Sequence, residues 1–394
     1  MKKYLGILIC IGILYGMMPM GYAEEAPKYL IQPKYDTARS FSEGLAAVGI
    51  NDKWGFVDKS GKEVIKLGYN EARSFSGGLA AVRLNEKWGF IDKTGKVVVK
   101  IQYDQVTDFK EGFAAVQKDY KWGYINKLGK EVIKRQYDEA SNFSEGLAAI
   151  GKYDQNAYVN KKGFINSAGK VVVKPRYDEV IDFKEGLALV KIGGKSGFID
   201  KTGKEIIKPQ FDDAKSFSEG LAQVKIGGKW GFIDKVGKRV ISPQYENTIR
   251  FSEGLAGVQK NGNYGYIDTK GNVVFMTPSL QASFVEEDSA FKDGIAWVIK
   301  DDRQIGSVAG AINKKGEVVI TPQYWVGPFI RNGNQFGEGL SAVCSKSGKW
   351  GYIDKSGKEI IKQQFDFALN FSEGLALVQV NEKWGYIANP LTNK

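Results

Sequence analysis

Apolar and polar residues follow a short pattern that recurs about every 34 residues along nearly the whole chain. In the unit at 79–100, apolar runs at 79–84, 88–92 and 97–100 alternate with polar residues rich in Gly, Asp, Asn and Lys. β-Branched and aromatic residues dominate the runs, and their length is typical of strands. Each unit is therefore predicted to contain three strands. The one segment that tolerates a helix, as at 137–143, is expected to form a single helical turn.

Ten copies of the unit align on one position that is followed by glycine in every copy. Self-similarity at this period is typical of repeat architectures, in which each unit packs on its neighbours. The aligned position is occupied by Trp54, Trp88, Trp122, Lys162, Ser196, Trp230, Tyr264, Ala309, Trp350 and Trp384. The six Trp-Gly pairs are predicted to be structural repeat positions, and their glycines are Gly55, Gly89, Gly123, Gly231, Gly351 and Gly385.

The strand at 88–92 is predicted to be covered on both faces. Alternation places Trp88 and Phe90 on one side and Gly89 and Ile91 on the other, and both sides are apolar. We expect the missing side chain of Gly89 to leave room for a ring from an adjacent unit. A single unit buries too little apolar surface to balance the entropy of ordering about 34 residues, so the units must share their faces.

The two ends of the array leave its closure open. The first strand, at 29–35, aligns with the third strand of a later unit at 205–211, whereas the last unit ends after its second strand. The first strand could therefore complete the last unit and close a ring. Propellers usually have four to eight four-stranded blades, which fits ten three-stranded units poorly. The predicted fold class is all-β, as an open or superhelical stack of about ten units, with a closed propeller-like ring as the alternative.

The N-terminus is distinct from the array. Lys2 and Lys3 precede an apolar run at 5–18, and small residues lead up to Ala23. This pattern is typical of a secretory signal peptide cleaved after residue 23, with a retained membrane anchor as the alternative. The expected domains are the signal peptide at 1–23 and the repeat array at 24–394, with irregular repeats at about 150–162 and 275–336. The expected location is secreted or at the cell envelope.

Charge and cysteine content add two expectations. The 394-residue chain carries a formal net charge of +11, which favours acidic partners such as anionic envelope polymers over any specific nucleic acid. Of its two cysteines, only Cys344 would remain after cleavage. We expect it to be a small buried side chain on a strand, with a free thiol available for dimerisation as the alternative.

No catalytic, metal-binding or cofactor-binding residues are predicted. The chain contains no histidine, which removes the commonest general base and metal ligand. One glutamate recurs in almost every unit, as at Glu43 and Glu185, so a role in a turn is more natural than many equivalent catalytic centres. Paired lysines such as Lys93 and Lys96 are expected to be solvated hairpin tips, with a cationic stripe for polyanions as the alternative.

The irregular stretch at 275–336 is the predicted location of a specific binding site, because functional loops are often carried by regular scaffolds. Its candidate ligand-binding residues are Trp297, Arg303, Trp325 and Arg331. The alternative is simple decay of the repeat. The tryptophans of the aligned position are expected to pack in the core and not to stack on sugars.

The recurring residues resemble the WG-repeat family of bacteria, also called KWG repeats. The resemblance rests on Lys-Trp-Gly-Phe-Ile-Asp-Lys-x-Gly-Lys at 87–96 and 229–238 and on Phe-Ser-Glu-Gly-Leu-Ala at 217–222, and it covers nearly all of the mature chain. It implies a β-repeat interaction scaffold and no catalytic residues. Together with the charge and the N-terminal segment, this predicts binding to an unknown protein or an anionic envelope polymer at the cell envelope. The alternatives are a carboxylate-dependent enzyme acting on cell-wall polysaccharide and a purely structural spacer.

Overall fold

A computed structural model describes residues 27–154, 159–277, 282–283, 289–302, 306–326 and 336–392. All regular secondary structure within these ranges is β-strand, which confirms the all-β prediction. The expected helical turn at 137–143 is wrong, because two of its residues form a short strand at Glu139–Ala140. No helix in these ranges is long and apolar enough to span a membrane. The expected signal peptide at 1–23 lies outside the described residues.

The strands form ten antiparallel sheets, nine with four strands and one with three in the described part of the chain. We call each sheet a blade. Nine blades begin with a strand of two residues: β2 (Thr37–Ala38), β6 (Glu71–Ala72), β10 (Gln105–Val106), β14 (Glu139–Ala140), β18 (Glu179–Val180), β22 (Asp213–Ala214), β26 (Asn247–Thr248), β30 (Ala282–Ser283) and β37 (Phe367–Ala368). The second strands are β3 (Leu45–Ile50), β7 (Ala80–Leu84), β11 (Phe113–Lys118), β15 (Leu147–Asp154), β19 (Leu187–Ile192), β23 (Leu221–Ile226), β27 (Leu255–Lys260), β31 (Ile295–Asp302), β34 (Leu340–Cys344) and β38 (Leu375–Val380).

The third strands carry the Trp-Gly position: β4 (Lys53–Asp58), β8 (Lys87–Ile91), β12 (Lys121–Asn126), β16 (Val159–Asn166), β20 (Lys195–Asp200), β24 (Lys229–Asp234), β28 (Asn263–Asp268), β32 (Gly306–Asn313), β35 (Trp350–Asp354) and β39 (Lys383–Ala388). The fourth strands are β5 (Glu63–Tyr69), β9 (Val97–Tyr103), β13 (Glu131–Tyr137), β17 (Val171–Tyr177), β21 (Glu205–Phe211), β25 (Arg239–Tyr245), β29 (Val273–Thr277), β33 (Val318–Trp325), β36 (Glu359–Phe365) and β1 (Tyr29–Tyr35). Counting from β2, we number the blades 1 to 10, so that β1 belongs to blade 10.

The glycine after the aligned position is required by backbone packing within its own blade. A Cβ added to Gly89 would lie 2.6 Å from the carbonyl oxygen of Val99 and 2.7 Å from the Cα of Ile101, both on β9. The register between β8 and β9 shifts at this point, which brings β9 against the glycine. The expectation that Gly89 makes room for a ring of an adjacent unit is therefore wrong. The space is filled by backbone of the same unit.

Each core cluster is shared by two adjacent blades, as the need for mutual burial predicts. Phe56 of blade 1 lies 4.9 Å from Phe75 of blade 2, measured between ring centroids, and both are buried. Ile91 of blade 2 belongs to the same cluster, whereas Trp88 and Phe90 pack toward blade 3. The two faces of the third strand therefore serve two different neighbours. We call each such contact between blades a junction.

The last junction closes the ring. Strand β1 pairs with β39, placing Tyr29 opposite Ile387 and Tyr35 opposite Trp384. One core cluster joins the first and last blades. The ring pair of Phe41 and Tyr386 has a centroid distance of 4.9 Å, as at other junctions. The chain therefore forms a ten-bladed propeller-like ring. The open stack that the sequence analysis preferred is wrong, and the ring alternative is confirmed.

Candidate functional site

A charged contact recurs at the junctions and determines which side chains remain free for a partner. Between the first and second strands, each blade makes a tight turn whose two central residues have positive φ, such as Glu185 at 53° and Gly186 at 86°. Glutamate rarely adopts this conformation, because its Cβ is crowded there. A strained residue that recurs at one position indicates that its side chain has a task.

The task of this glutamate is to bind the next blade. The Glu185 carboxylate accepts hydrogen bonds from the backbone N–H groups of Glu219 and Gly220, at 2.8 and 3.0 Å, and lies 3.2 Å from Lys235 Nζ. Burial alone would raise the pKa of Glu185. The Gly220 amide and Lys235 outweigh it, and the pKa lies below its ordinary value. The same carboxylate–lysine contact joins Glu43 to Lys93, Glu145 to Lys201, Glu253 to Lys314 and Glu373 to Lys59.

These contacts change the interpretation of the repeated lysine pairs. In Lys93 and Lys235, the first lysine of the pair is bound by a carboxylate of the preceding blade. These two lysines are therefore neither merely solvated tips nor free members of a cationic stripe. The recurring glutamates do lie in turns, as predicted, and they also hold adjacent blades together.

Acid should weaken the ring through these carboxylates. The pKa values of Glu145, Glu185 and Glu253 are lowered in the folded chain, despite burial, by lysine and backbone N–H partners in the next blade. A lowered folded pKa contributes stability above the unfolded value, which is about 4.3 for Glu, and this stability is lost as pH falls through the folded pKa. We expect the urea midpoint to be nearly constant from about pH 5.5 to 8 and to fall below about pH 4.

Circular dichroism across this pH range measures the effect. The triple variant Glu145→Gln/Glu185→Gln/Glu253→Gln is the control, because it cannot titrate at these positions. It should be less stable at pH 7 and should depend less on pH below 5. An unchanged midpoint of the parent protein between pH 7 and pH 3 would contradict the contribution of these carboxylates.

Against this background, one cleft between blades 5, 6 and 7 is unusual. It has a volume of about 380 Å³ and is lined by Ile181, Lys184, Lys215, Ser216, Gln223, Trp230, Asn247, Thr248, Ile249 and Arg250. None of these lining residues is acidic. Its cations, Lys184, Lys215 and Arg250, make no ion pair among the described residues, in contrast to the junction lysines. The cleft is therefore an uncompensated cationic surface beside an indole ring.

A buried polar pair shapes the floor of this cleft. The side-chain amide of Gln223 donates to the Thr248 carbonyl oxygen at 2.8 Å and to its hydroxyl at 2.9 Å, and both residues are buried. Buried amides need such partners, so the pair fixes the position of Gln223. The aligned positions on β3, β7 and β11 hold Ala47, Ala81 and Ala115. The polar floor is therefore specific to the junction between blades 6 and 7.

The sequence analysis missed this cleft, although a signal for it exists. Gln223 replaces a usual alanine and Thr248 a usual alanine or valine, in units that otherwise follow the pattern closely. Lys215 and Arg250 occupy the short link after the two-residue strand, where the repeat varies most. Comparing each unit with the consensus position by position would have found the cluster. The irregular spacing of the repeat pointed instead to the stretch at 275–336.

The four candidate ligand-binding residues do not form a described site. Trp297 is 5 % exposed, and its ring stacks on Phe336 at a centroid distance of 6.1 Å. It lies opposite Ala311, which occupies the position of the usual third-strand phenylalanine or tyrosine. Trp297 therefore replaces a missing core ring and does not present its indole to a ligand. Trp325 ends β33 and is 36 % exposed, while Arg303 and Arg331 lie outside the described residues.

The tryptophans of the aligned position pack within junctions. Trp88, Trp230 and Trp350 are buried, and Trp54, Trp122 and Trp384 are partly buried. The Arg73 guanidinium lies 4.5 Å from the Trp88 ring centroid, which covers an indole face with a cation. The glycines that follow these tryptophans lie against backbone of their own blade, as shown for Gly89. The others are Gly55, Gly123, Gly231, Gly351 and Gly385.

Cys344 is buried on β34, as expected. It is 1 % exposed, and burial raises the pKa of its thiol to about 11. A protonated, buried thiol is a poor partner for a disulfide, which disfavours the dimerisation alternative. No group of acidic or cysteine side chains in the described ranges could hold a metal ion.

Comparison with known proteins agrees with the repeat assignment. A family model described as "WG containing repeat" matches residues 20–54, 54–88, 88–122, 122–154, 163–195, 197–230, 230–264, 310–350 and 350–384. A search of curated protein sequences finds no match.

Two solved structures show how far the overall similarity extends. A crystal structure of a eukaryotic initiation factor is 12 % identical, with a TM-score of 0.50, over 74 % of this chain and 89 % of that one. A structure of KlHsv2 with one loop replaced by a Gly-Ser linker is 8 % identical, with a TM-score of 0.29, over 71 % and 98 % of the chains. At these identities the likeness concerns the fold alone, and only the first reaches a TM-score of 0.5.

Proposed function

The chain belongs to the family of WG-containing repeat proteins, and from this premise we propose that it is a secreted binding scaffold of the bacterial cell envelope. A rigid ring of blades suits a binding or structural role, because its regular core holds variable surface positions in fixed places. The proposed partner is an anionic polymer or an acidic protein of the envelope. The proposed action is binding without catalysis.

The cationic cleft between blades 5, 6 and 7 is the observation that carries this proposal. Junction carboxylates neutralise lysines such as Lys93 and Lys235. By contrast, Lys184, Lys215 and Arg250 have no carboxylate among the residues that line the cleft. A concave site lined by charge of one sign concentrates ligands of the opposite sign. The exposed Ile181 side chain adds apolar surface beside the cations, and the buried Trp230 ring lies in the wall of the cleft.

Two features of the sequence support the location and the sign of the partner. The segment at 1–23 has the pattern of a signal peptide, and an envelope location would expose the ring to anionic wall polymers. The full chain carries a net charge of +11, and the mature chain without Lys2 and Lys3 carries +9, which attracts such polymers from a distance. Because Glu185 and its equivalents bind the next blade, the recurring carboxylates are already engaged, and no observation favours the polysaccharide-cleaving enzyme over the scaffold.

Retention on cell walls tests the proposal. We expect the mature chain at 24–394 to be retained by teichoic-acid-bearing walls and to be released as salt rises, because salt screens exposed charges. The variant Lys215→Glu/Arg250→Glu should lose most of this retention at about 0.15 M salt. The matched control is Lys100→Glu/Lys134→Glu, which makes the same change of net charge at two exposed residues on β9 and β13, away from the cleft.

The control separates the cleft from the overall charge. Equal losses in both double variants would show that retention follows net charge alone and would overturn the assignment of the cleft. Absence of retention in the parent chain, or retention that does not change with salt, would overturn the anionic partner. Circular dichroism of each variant verifies that the ring remains folded.

A further inference from the structure

One junction lacks its carboxylate. Between blades 2 and 3, the position of the recurring glutamate holds Gly77, whose φ of 64° is close to the values of the glutamates. At the equivalent place in the preceding junction, the Glu43 carboxylate accepts a hydrogen bond from the Gly78 N–H at 3.0 Å and lies 3.4 Å from Lys93 Nζ. The chain turns in the same way at Gly77 but supplies no acid there.

The groups that would bind this carboxylate are nevertheless present in blade 3. Gly112 has the same left-handed conformation as its equivalents, with φ of 86°. Its N–H, which corresponds to that of Gly78, has no hydrogen-bond partner in the described part of the chain. Lys127 corresponds to Lys93, and its Nζ lies 3.1 Å from the place that a Cβ of residue 77 would occupy. It makes no ion pair with any described residue.

Two residues of blade 3 make the surroundings of this vacancy more cationic than the equivalent positions in blades 1 and 2. The hairpin of blade 3 contains Asn126 where blades 1 and 2 have aspartate, so the amide oxygen replaces a charged one in bonding the turn N–H groups. Lys110 occupies a position that is serine in most units. The one nearby glutamate of the turn, Glu111, is bound to the N–H groups of Glu145 and Gly146 at 2.7 and 2.9 Å.

We propose that the vacancy between blades 2 and 3 binds a carboxylate supplied by a partner, namely a glutamate side chain of an acidic peptide. The ligand carboxylate would accept a hydrogen bond from the Gly112 N–H and form an ion pair with Lys127. Within the chain, the Glu43 carboxylate makes the same two contacts with the Gly78 N–H and Lys93. The occupied junctions show that this geometry suits the two oxygens of a carboxylate. A charge-assisted hydrogen bond of this kind is stronger than a neutral one.

An exposed apolar side chain favours a peptide over a polysaccharide. Leu128 follows Lys127 in the hairpin and is 82 % exposed. Blades 1, 2 and 5 have Ser60, Thr94 and Thr202 at this position. A peptide that carries an apolar residue beside its glutamate could cover Leu128 while filling the vacancy. This site is separate from the cationic cleft, so the inference does not depend on the proposed function of the cleft.

Fluorescence anisotropy with a labelled acetyl-Leu-Glu-Leu amide peptide tests the site on the mature chain. We expect saturable binding that disappears in Gly77→Glu, because the new side chain supplies its own carboxylate in a conformation that the turn already accepts. Its Cβ would meet mainly the flexible end of Lys127. Lys127→Ala should weaken binding about tenfold, which corresponds to about 1.4 kcal/mol. The same peptide with glutamine in place of glutamate should not bind.

Two matched controls distinguish the vacancy from general effects. Gly77→Ala introduces a Cβ at the same φ but no carboxylate, and it should retain binding. Lys93→Ala removes a lysine already paired with Glu43 and should also retain it. The proposal is overturned if the parent binds no peptide, if Gly77→Glu binds as the parent does, or if the glutamine peptide binds equally well. Tighter binding of a uronic acid polymer than of the peptide would overturn the assignment to a peptide.

Discussion

Gly89→Ala is expected to lower the free energy of unfolding by about 3 kcal/mol or more. The added Cβ would lie 2.6 Å from the Val99 carbonyl oxygen and 2.7 Å from the Ile101 Cα. Both are backbone atoms, so no rotation of a side chain relieves the overlap. Strand β9 must move away from β8, which breaks hydrogen bonds between them and disturbs the junction that Val99 helps to form. The urea midpoint of the variant measures the loss.

Gly68→Ala is the matched control for this prediction. Gly68 also lies in a strand, β5, but the nearest atom to an added Cβ is the Lys66 carbonyl oxygen at 3.9 Å, which is an ordinary contact. This variant should be neutral or slightly stabilising, because alanine restricts the unfolded chain more than glycine does. Similar midpoints for the two variants would show that the close backbone approach at Gly89 does not determine its identity.

Ile31→Asp is expected to open the ring. Ile31 is 4 % exposed and packs in the cluster that joins the first and last blades. An uncompensated charge buried there costs roughly 3–5 kcal/mol. It destabilises the packing of β1, the N-terminal strand that completes blade 10. We expect β1 to detach from β39. The exposed edge of β39 should then pair with other molecules, because unpaired strand edges promote association.

Leu30→Asp is the control for ring opening. Leu30 is adjacent in the same strand, is 41 % exposed and therefore projects away from the core. Light scattering and urea unfolding should show a stable monomer like the parent for Leu30→Asp, and association with lower stability for Ile31→Asp. Equal behaviour of the two variants would contradict a role of β1 in closing the ring.

Local features of the repeat were predictable because they depend on neighbouring residues. The alternation at 88–92 predicted which side chains share a face, and Trp88 and Phe90 do pack away from Ile91. An aspartate that precedes a hairpin can bond the turn amides that follow it. Asp92 accepts hydrogen bonds from the N–H groups of Thr94 and Lys96 at 2.9 and 3.1 Å. These contacts span at most four residues, so spacing alone defines them.

The candidate site was harder to predict because it depends on contacts between units. Trp297 was a candidate ligand-binding residue because it lies in the irregular stretch at 275–336. It replaces the ring that Ala311 lacks on the adjacent strand, and only the strand register reveals this pairing. Gln223 and Thr248 are 25 residues apart and form one buried contact. A single unit, read by itself, shows neither relation.

The sequence by itself determined the repeat, its strands, their two apolar faces and the membership in a family, because these follow from periodic spacing along one chain. Only the tertiary structure decided that the array closes and which lysines remain unpaired. It also decided that the glycine of the Trp-Gly pair makes room for backbone of its own blade. Closure depends on the small rotation between successive blades, which is accumulated over ten junctions and is not encoded in any single unit. Likewise, a lysine is free or bound according to the carboxylate that the preceding blade presents, about 50 residues earlier in the chain.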